Sequence, residues 1–394
     1  MPFFENKNLE LNPIELACLR RKEQNLPLTD LTCSNPTLQG YLFPSEILIA
    51  ETGKYLSSRI YDPHPRGFYD ARHCIAAYYV NRGLNISPEH IIITANTSEA
   101  YCLLFSLLCE AGDNILTPNI TYPLFEFLAE HQKIKMKSFH FRKYSNSTDT
   151  GWNIDFPSIL ENHDSRTKAL MFISPHNPLG HIIEEKKEEI VTHLGLPIIC
   201  DEVFAEFTGN ETPPKPVGAI YPDLPVFHLN GISKMFALPD MKLGWIAMND
   251  TALDKYGDRL ELLNDMFLSA SPLIQAALPA IFEAGTQFKK EMVKSVNKKV
   301  KTAVQIINSS NRLKTHFPAG GYYVFPEIIC DGHKSSKKQH DINRTEEEIV
   351  LKLIENGVLV HPGYFYGNCP TPHIMISCLV KEENLLGGLE KIAA

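Results

Sequence analysis

The stretch LPIICDEVF (residues 196–204) is an apolar run that ends in two acidic residues and a further apolar pair. Its apolar residues are consecutive rather than alternating, as expected of a strand that is covered on both faces. Six more such runs, with breaks and helical segments between them, are IIITA (91–95), NILTPN (114–119), IKMKSFHF (134–141), ALMFISPH (169–176), VFHLNGI (226–232) and KLGWIAM (242–248). This order predicts an α/β fold with a mostly parallel sheet, whose ligands bind at the carboxyl ends of the strands.

The remainder of the chain predicts a second, smaller unit. Charged helical segments at 251–266 and 286–308 precede a strand, a helix and another strand, with a polar insertion at 331–344. Thr345 and Glu348 have the spacing of a capping box and predict that the helix begins there. We therefore expect an N-terminal segment (1–50) that joins the small domain, a large domain (51–290) and a small α+β domain (291–394).

Composition favours a small-molecule partner in the cytoplasm. The 394 residues are 44% hydrophobic and 21% charged, and the formal net charge of −8 is spread along the chain, which argues against a nucleic-acid or anionic membrane surface. The nine cysteines form no CxxC pair and no metal-ligand spacing, so we expect reduced thiols and no metal site. We find no signal peptide and no apolar run of membrane-spanning length, and we expect a cytoplasmic location.

Polar and aromatic residues follow the ends of the predicted strands. Thr97 and Ser98 begin an apolar helical segment after IIITA, and a helix start can bind an anion; a plain helix cap is the alternative. Tyr122 follows NILTPN and either stacks on a flat ring or fills the core. Asn177 precedes a proline in SPHNPLG, and a tight turn there can direct its amide into a site.

Two charged residues complete this set. Asp201 ends the run LPIICDEVF, where a buried carboxylate is costly unless it meets a cation or several donors. Lys234 lies in NGISKMFALPDMKLGW (230–245) and is either an exposed residue between two buried segments or a nucleophilic amine. An anion site, a stacking ring, an amide, a carboxylate and an imine-forming lysine are together what pyridoxal phosphate requires.

The ordered motifs TSEAY, TYP, NPLG, DEVF and SKMFALPDMKLGW resemble those of class I/II aminotransferases, in the fold type I pyridoxal-phosphate superfamily. The resemblance spans about residues 30–385 and implies a mostly parallel seven-stranded sheet with helices on both faces, plus the smaller α+β domain. It implies a homodimer with shared active sites, with SASPLIQAAL (269–278) at the interface. The implied roles are Schiff-base lysine for Lys234, ring-nitrogen partner for Asp201, ring-hydroxyl ligand for Asn177, stacking ring for Tyr122, phosphate site for Thr97 and Ser98, and phosphate ligand of the neighbouring subunit for Tyr61.

Four positions depart from the family pattern. Lys242 stands where the family has an arginine for the phosphate, and it keeps the charge but not the two-pronged geometry. Phe204 replaces a tyrosine that bonds the ring hydroxyl, and Gly231 replaces a serine. Met375, in PHIMIS, replaces the arginine that binds the substrate α-carboxylate.

The substitution at Met375 leaves the substrate open. Arg66, close to the phosphate tyrosine in sequence, is the first candidate for a replacement cation, and His361 and His373 are weaker ones. The leading hypothesis is transfer of an amino group from an amino acid or amine to a 2-oxo acid. Another reaction with the same cofactor (lyase, decarboxylase, racemase or oxidase) is the alternative, and a non-catalytic cofactor-binding role is the third.

Overall fold

The computed structural model describes residues 8–145, 150–209, 212–268, 270–329 and 338–393. All seven predicted strands join one sheet, which confirms the predicted α/β architecture. In spatial order its strands are Ile91–Thr94, Gly244–Met248, Val226–Gly231, Ile198–Asp201, Thr167–Ile173, Asn114–Pro118 and Lys135–Phe139. The strand Gly244–Met248 is antiparallel to both neighbours, and the other neighbouring pairs are parallel.

The register of the sheet brings several chain segments to one edge. Ile173 pairs with Asp201, so these parallel strands end side by side. Because the antiparallel strand runs the other way, its first residue, Gly244, pairs with Thr94 and with Gly231 at the ends of its neighbours. The segments that follow residues 94, 173, 201 and 231, and the segment that precedes residue 244, therefore all meet at this edge.

Helices cover the sheet and the remaining strands. Their bounds are Pro13–Glu23, Ser45–Ser58, Tyr69–Asn81, Thr97–Leu108, Leu124–His131, Phe156–Asn162, Glu189–Leu194, Val217–Ile220, Ile232–Met235, Asp250–Asp265, Pro272–Ser309, Gln339–Glu355 and Glu382–Ala393. Apolar side chains of the central strand are buried on both faces of the sheet: Ile198, Ile199 and Cys200 are all 0% exposed. In the described part of the chain, no helix has the length and apolar character needed to cross a bilayer.

Smaller sheets lie beside the central one. Tyr323–Val324 and His361–Pro362 flank Ile374–Ser377 as antiparallel neighbours. Three two-stranded pairs complete the described strands: Thr29–Asp30 with Val358–Leu359, Leu313–Lys314 with Glu327–Ile328, and Phe141–Ser145 with Thr150–Ile154. The first of these ties the N-terminal segment to the C-terminal part of the chain.

Two helical predictions differ from the structure. The segment 286–308 is part of one helix of 38 residues, Pro272–Ser309, which contains Pro279 and runs through the predicted domain boundary at 290. The capping box at Thr345 is wrong, because the helix begins at Gln339. The Thr345 hydroxyl instead donates to the carbonyl of Asp341, one turn earlier in the same helix. Ser269 of the predicted interface segment and part of the polar insertion (331–337) lie outside the described residues.

Eight of the nine cysteines lie in the described residues, and all eight are free thiols. Cys200, Cys369 and Cys378 are buried, and the other five are partly buried. Cys330 lies outside the described residues. Burial raises the pKa of the Cys378 thiol to about 12, so this side chain behaves as an apolar core residue at neutral pH.

Gly180 offers a stability test of the turn that carries Asn177. It has a φ of +70°, and an added Cβ would lie 2.8 Å from the Pro318 Cα and 2.9 Å from the Gly320 carbonyl oxygen. We expect Gly180→Ala to lower the free energy of unfolding by about 2–4 kcal/mol, from backbone strain plus the clash. Gly195→Ala is the matched control: its φ is +63° with nothing within 4 Å, so only about 1 kcal/mol is expected. Urea titration measures both, and equal losses would contradict the clash.

Candidate active site

A cavity of about 190 Å³ opens at the edge where the strands end. Six of the residues singled out in the sequence line it: Thr97, Ser98, Tyr122, Asn177, Asp201 and Lys234. They come from five separate segments of the chain, and the register of the sheet is the reason that they meet. Gly244 helps to close this edge, because a Cβ on it would approach the backbone of Asn96 to 3.0 Å.

Lys234 lies on the short helix Ile232–Met235, directly after a sheet strand. Its Nζ donates a hydrogen bond to the carbonyl oxygen of Ser34 at 2.9 Å. Burial lowers the pKa of the Lys234 amine to about 8, and the nearby Cys33 thiol opposes this shift. A substantial fraction of the amine is therefore neutral near pH 8, as a nucleophile must be. This geometry favours the nucleophile over the exposed-lysine alternative.

Asp201 is a buried carboxylate with two hydrogen-bond donors. The Tyr101 hydroxyl donates to Oδ2 at 2.9 Å, and the backbone N–H of Val203 donates to Oδ1 at 3.0 Å. Burial raises the pKa of Asp201 to about 6, although both hydrogen bonds lower it. Among the described residues no basic side chain pairs with this carboxylate. A cationic group in the cavity would therefore stabilise its ionised form.

The helix Thr97–Leu108 begins at the cavity. Asn96 is its N-cap and accepts the Glu99 N–H at 2.9 Å. The backbone N–H groups of Thr97 and Ser98 have no acceptor within the helix, since they belong to its first turn. Free N–H groups and the positive end of the helix dipole favour an anion here.

Asn177 and Tyr122 occupy other walls of the cavity. Asn177 is buried, and its Oδ1 has no hydrogen-bond donor among the described residues. A buried amide oxygen without a donor is costly, and a ligand that donates to it would remove this cost. Tyr122 is 44% exposed and meets the ring of Phe125 edge to face, with centroids 6.0 Å apart. One face of Tyr122 is therefore not committed to the protein core.

Arg66 is a correction to the sequence-based expectation, because the structure does not place it at the cavity. Its Nε donates to Glu261 Oε2 at 2.5 Å and its Nη1 to the Glu89 carbonyl at 2.5 Å, and its Nη2 lies 3.6 Å from Asp258 Oδ1. The guanidinium is buried in these contacts. Within this chain Arg66 ties the segment before the helix Tyr69–Asn81 to the helix Asp250–Asp265.

Tyr61 and Lys242 also do not line this cavity. Tyr61 is 63% exposed and lines a second cavity together with Asn264 and Leu268. The side chain of Lys242 is exposed, and the residue stands immediately before Leu243 and Gly244, which line the main cavity. Its φ of +50° turns the chain at this point.

The position of the missing arginine is apolar. Met375 is 1% exposed within the strand Ile374–Ser377 and does not line the cavity. Neither histidine candidate replaces it: His361 bonds the Tyr366 hydroxyl at 3.0 Å, and His373 stacks on Phe325 with centroids 4.8 Å apart. Among the described residues that line the cavity, Lys234 is the one basic side chain.

The two other departures also have structural consequences. Phe204 lines the cavity and packs edge to face against Tyr322 and Tyr323, with centroids 5.1 and 5.7 Å apart. Gly231 pairs with Gly244 across the sheet, and a Cβ on it would lie 2.8 Å from the Leu243 carbonyl oxygen. A serine at this position would require the two strands to separate.

Sequence reasoning missed several cavity residues, among them Tyr101, Ser34 and Tyr323. Tyr101 follows Thr97 by four residues on one helix, so helical spacing predicts that both face the same side. Ser34 contributes a backbone carbonyl from 200 residues away, and no local pattern marks it. Within the described residues, no cluster of three or more His, Cys, Asp or Glu side chains is placed to hold a metal.

Comparisons with known proteins show which family and fold this chain resembles. The family model "Aminotransferase class I and II" matches residues 57–392. Tyrosine aminotransferase from Dictyostelium discoideum is 26% identical over 77% of this chain and 75% of its own length. Glutamate-pyruvate aminotransferase from Haemophilus influenzae is 26% identical over 97% of this chain and 93% of its own length. The solved alanine aminotransferase from Pyrococcus furiosus shares the fold, with a TM-score of 0.86 at 22% identity, over 99% of this chain and 98% of its own length.

Proposed function

The chain belongs to the class I and II aminotransferases, and from this premise we propose that its cavity binds pyridoxal 5′-phosphate. As a member of this family, the protein is an enzyme that transfers amino groups. The observation that carries the cofactor proposal is the convergence of Lys234, with its lowered pKa, and Asp201, without a cationic partner among the described residues, in one cavity. The buried and unpartnered Oδ1 of Asn177 fits the same ligand.

Each residue has a defined task in this proposal. When bound, pyridoxal phosphate supplies an aldehyde that condenses with amines and a ring that withdraws electrons. Lys234 holds the aldehyde carbon and later moves the substrate proton, and Asp201 keeps the ring nitrogen protonated. Asn177 bonds the ring hydroxyl and Tyr122 stacks on the ring. Four residues bind the phosphate in this proposal: Thr97, Ser98, Lys242 and, from the neighbouring subunit, Tyr61.

We further propose that the amino donor is selected mainly by apolar and aromatic contacts. Apolar and aromatic residues that line the cavity include Leu124, Phe125, Val203, Phe204 and Tyr323. Among the described residues no arginine lines the cavity, and Met375 is buried and does not line it. An α-carboxylate therefore gains little from this chain, and a 2-oxo acid is the acceptor that the family reaction implies.

The test uses pairs of donors that differ only in the carboxylate, such as phenylalanine and 2-phenylethylamine. Purified holoenzyme is mixed with each donor without acceptor, and the visible absorbance of the bound cofactor is followed. We expect each donor to abolish the visible absorbance of the bound cofactor once per site, and a 2-oxo acid to restore it. The kcat/KM values of the two donors should lie within about tenfold of each other. A site built around the missing arginine would discriminate by about 10⁴-fold or more.

Two outcomes would contradict this proposal. A preference of more than about 10³-fold for the amino acid would mean that a cation does bind its carboxylate. Repeated turnover of donor without acceptor, with the absorbance returning each time, would identify a lyase or a related reaction instead of transfer.

We include in the same proposal a homodimer with shared active sites and a cytoplasmic location. Large apolar side chains are exposed near Tyr61, among them Ile60 at 73%, Met266 at 70%, Phe267 at 61% and Leu268 at 71%. Exposed apolar patches of this kind are typical of interfaces. A sedimentation mass of one chain at micromolar concentration would exclude the dimer.

A further inference from the structure

The Tyr101 hydroxyl is aimed at the carboxylate of Asp201. It donates to Oδ2 at 2.9 Å, and both side chains are buried, with Tyr101 only 1% exposed. The ring of Tyr101 packs against Phe105 and Phe125, with centroids 5.7 and 4.8 Å apart. The apolar ring is therefore part of the core, while the hydroxyl serves one acceptor.

The surroundings of Asp201 make this hydrogen bond important. The carboxylate of Glu202, the next residue in the chain, also acts on Asp201, but Arg82 pairs with it through two contacts, Nη1 to Oε2 at 3.0 Å and Nη2 to Oε1 at 3.2 Å. Cys200 precedes Asp201, and burial keeps its thiol protonated by raising its pKa well above the ordinary value. The Val203 N–H and the Tyr101 hydroxyl remain as the two donors that hold the Asp201 carboxylate.

A phenol suits this role better than a donor that loses its proton near neutral pH. Burial raises the pKa of Tyr101 well above its ordinary value, so the hydroxyl stays protonated at any physiological pH. The proton therefore remains on Tyr101, and the negative charge remains on Asp201. Because Tyr101 and Thr97 belong to one helix, Thr97–Leu108, the same rigid element also bounds the anion end of the cavity.

We propose that Tyr101 is a positioning residue that holds Asp201 ionised and turned toward the cofactor ring nitrogen, an inference that rests on the proposed function. Loss of the hydroxyl leaves Oδ2 without a donor in a buried setting. The carboxylate then binds its proton more readily, and its hold on a protonated ring nitrogen weakens. Turnover depends on that ring as an electron acceptor, so the effect falls on kcat rather than on substrate binding.

Tyr101→Phe tests this, since it removes the hydroxyl and keeps the packed ring. We expect kcat to fall about 10- to 100-fold with KM within about threefold, as for a lost hydrogen bond to a charged group. The acid limb of the kcat profile moves to higher pH, because Asp201 must be ionised. With ¹⁵N-labelled cofactor, the ring-nitrogen resonance moves from the protonated toward the neutral position.

Tyr221→Phe is the matched control. Tyr221 is also buried, and its hydroxyl accepts the Glu188 N–H at 3.0 Å, outside the cavity. We expect Tyr221→Phe to lower the free energy of unfolding in urea by an amount comparable to that of Tyr101→Phe. It should change neither the pH profile of kcat nor the ¹⁵N resonance. A Tyr101→Phe enzyme with wild-type kcat and an unchanged ¹⁵N resonance would overturn the inference. A wild-type enzyme whose bound ring nitrogen is unprotonated would instead overturn the role of Asp201 in the proposed function.

Discussion

Lys234→Ala is expected to reduce amino transfer by at least about 10⁴-fold, because one side chain supplies both the covalent anchor and the proton carrier. Burial already prepares this amine: its pKa is lowered to about 8, below that of an exposed lysine. Because the neutral amine is the reactive form, the rate at which apoenzyme captures the cofactor should rise with pH and reach half its maximum near pH 8. An ordinary lysine would show this midpoint near 10.4.

Borohydride reduction and peptide mapping identify the lysine that carries the cofactor. We expect the label on Lys234 in the wild-type enzyme and no label in the alanine variant. Added methylamine should restore part of the activity of the variant, since a free amine can take over the proton transfer. Lys187→Ala, at an exposed lysine that pairs with Asp223, is the control and should behave as wild type. An active alanine variant with its label on Lys242 would refute the assignment.

Asp201→Asn is expected to lower kcat by about 10²- to 10³-fold while the protein still folds and binds its cofactor. The amide has nearly the same shape as the carboxylate and still accepts one of the two donors, Tyr101 or Val203. It carries no charge, so it cannot keep a ring nitrogen protonated. The phosphate contacts at Thr97 and Ser98 do not involve this residue, so the cofactor should remain bound.

Kinetics and cofactor content together check this prediction. Asp223→Asn is the control, because Asp223 is an exposed carboxylate with a single lysine partner. It should change neither kcat nor the ratio of cofactor to protein. Near-normal turnover in Asp201→Asn would show that the reaction does not use the ring as an electron acceptor. Loss of the bound cofactor would show instead that Asp201 contributes mainly to affinity.

The strands were predictable from local sequence, whereas their arrangement was not. Runs such as IIITA and LPIICDEVF are apolar throughout because both faces of the sheet are covered, and this requirement is visible in each run alone. That Gly244–Met248 runs antiparallel between two other strands depends on pairing with residues 13 to 156 positions away, which no local run encodes. The same holds for the start of the helix Gln339–Glu355, where the Thr345 motif predicted a later beginning.

For the site, sequence patterns predicted which residues near strand ends meet in one cavity, while the roles of these residues stay predictions. Asp201, Asn177 and Lys234 belong to short motifs, and parallel strands must bring such motifs to one edge. Tyr61 and Lys242 remain predictions, because one depends on a second chain and the other has an exposed side chain beside the cavity.

Tertiary structure decided the contacts that tune the site. Tyr101 bonds Asp201 and Ser34 bonds Lys234 across 100 and 200 residues, and burial, which shifts both pKa values, exists only in the folded chain. Arg66 is a prediction that tertiary structure overturned. Its proximity in sequence to Tyr61 suggested that it binds the substrate carboxylate, but its guanidinium binds Glu261 instead. Sequence specifies which chemical groups the strand ends carry, and packing specifies which charges are neutralised, because electrostatic energy depends on neighbours in space and on excluded water.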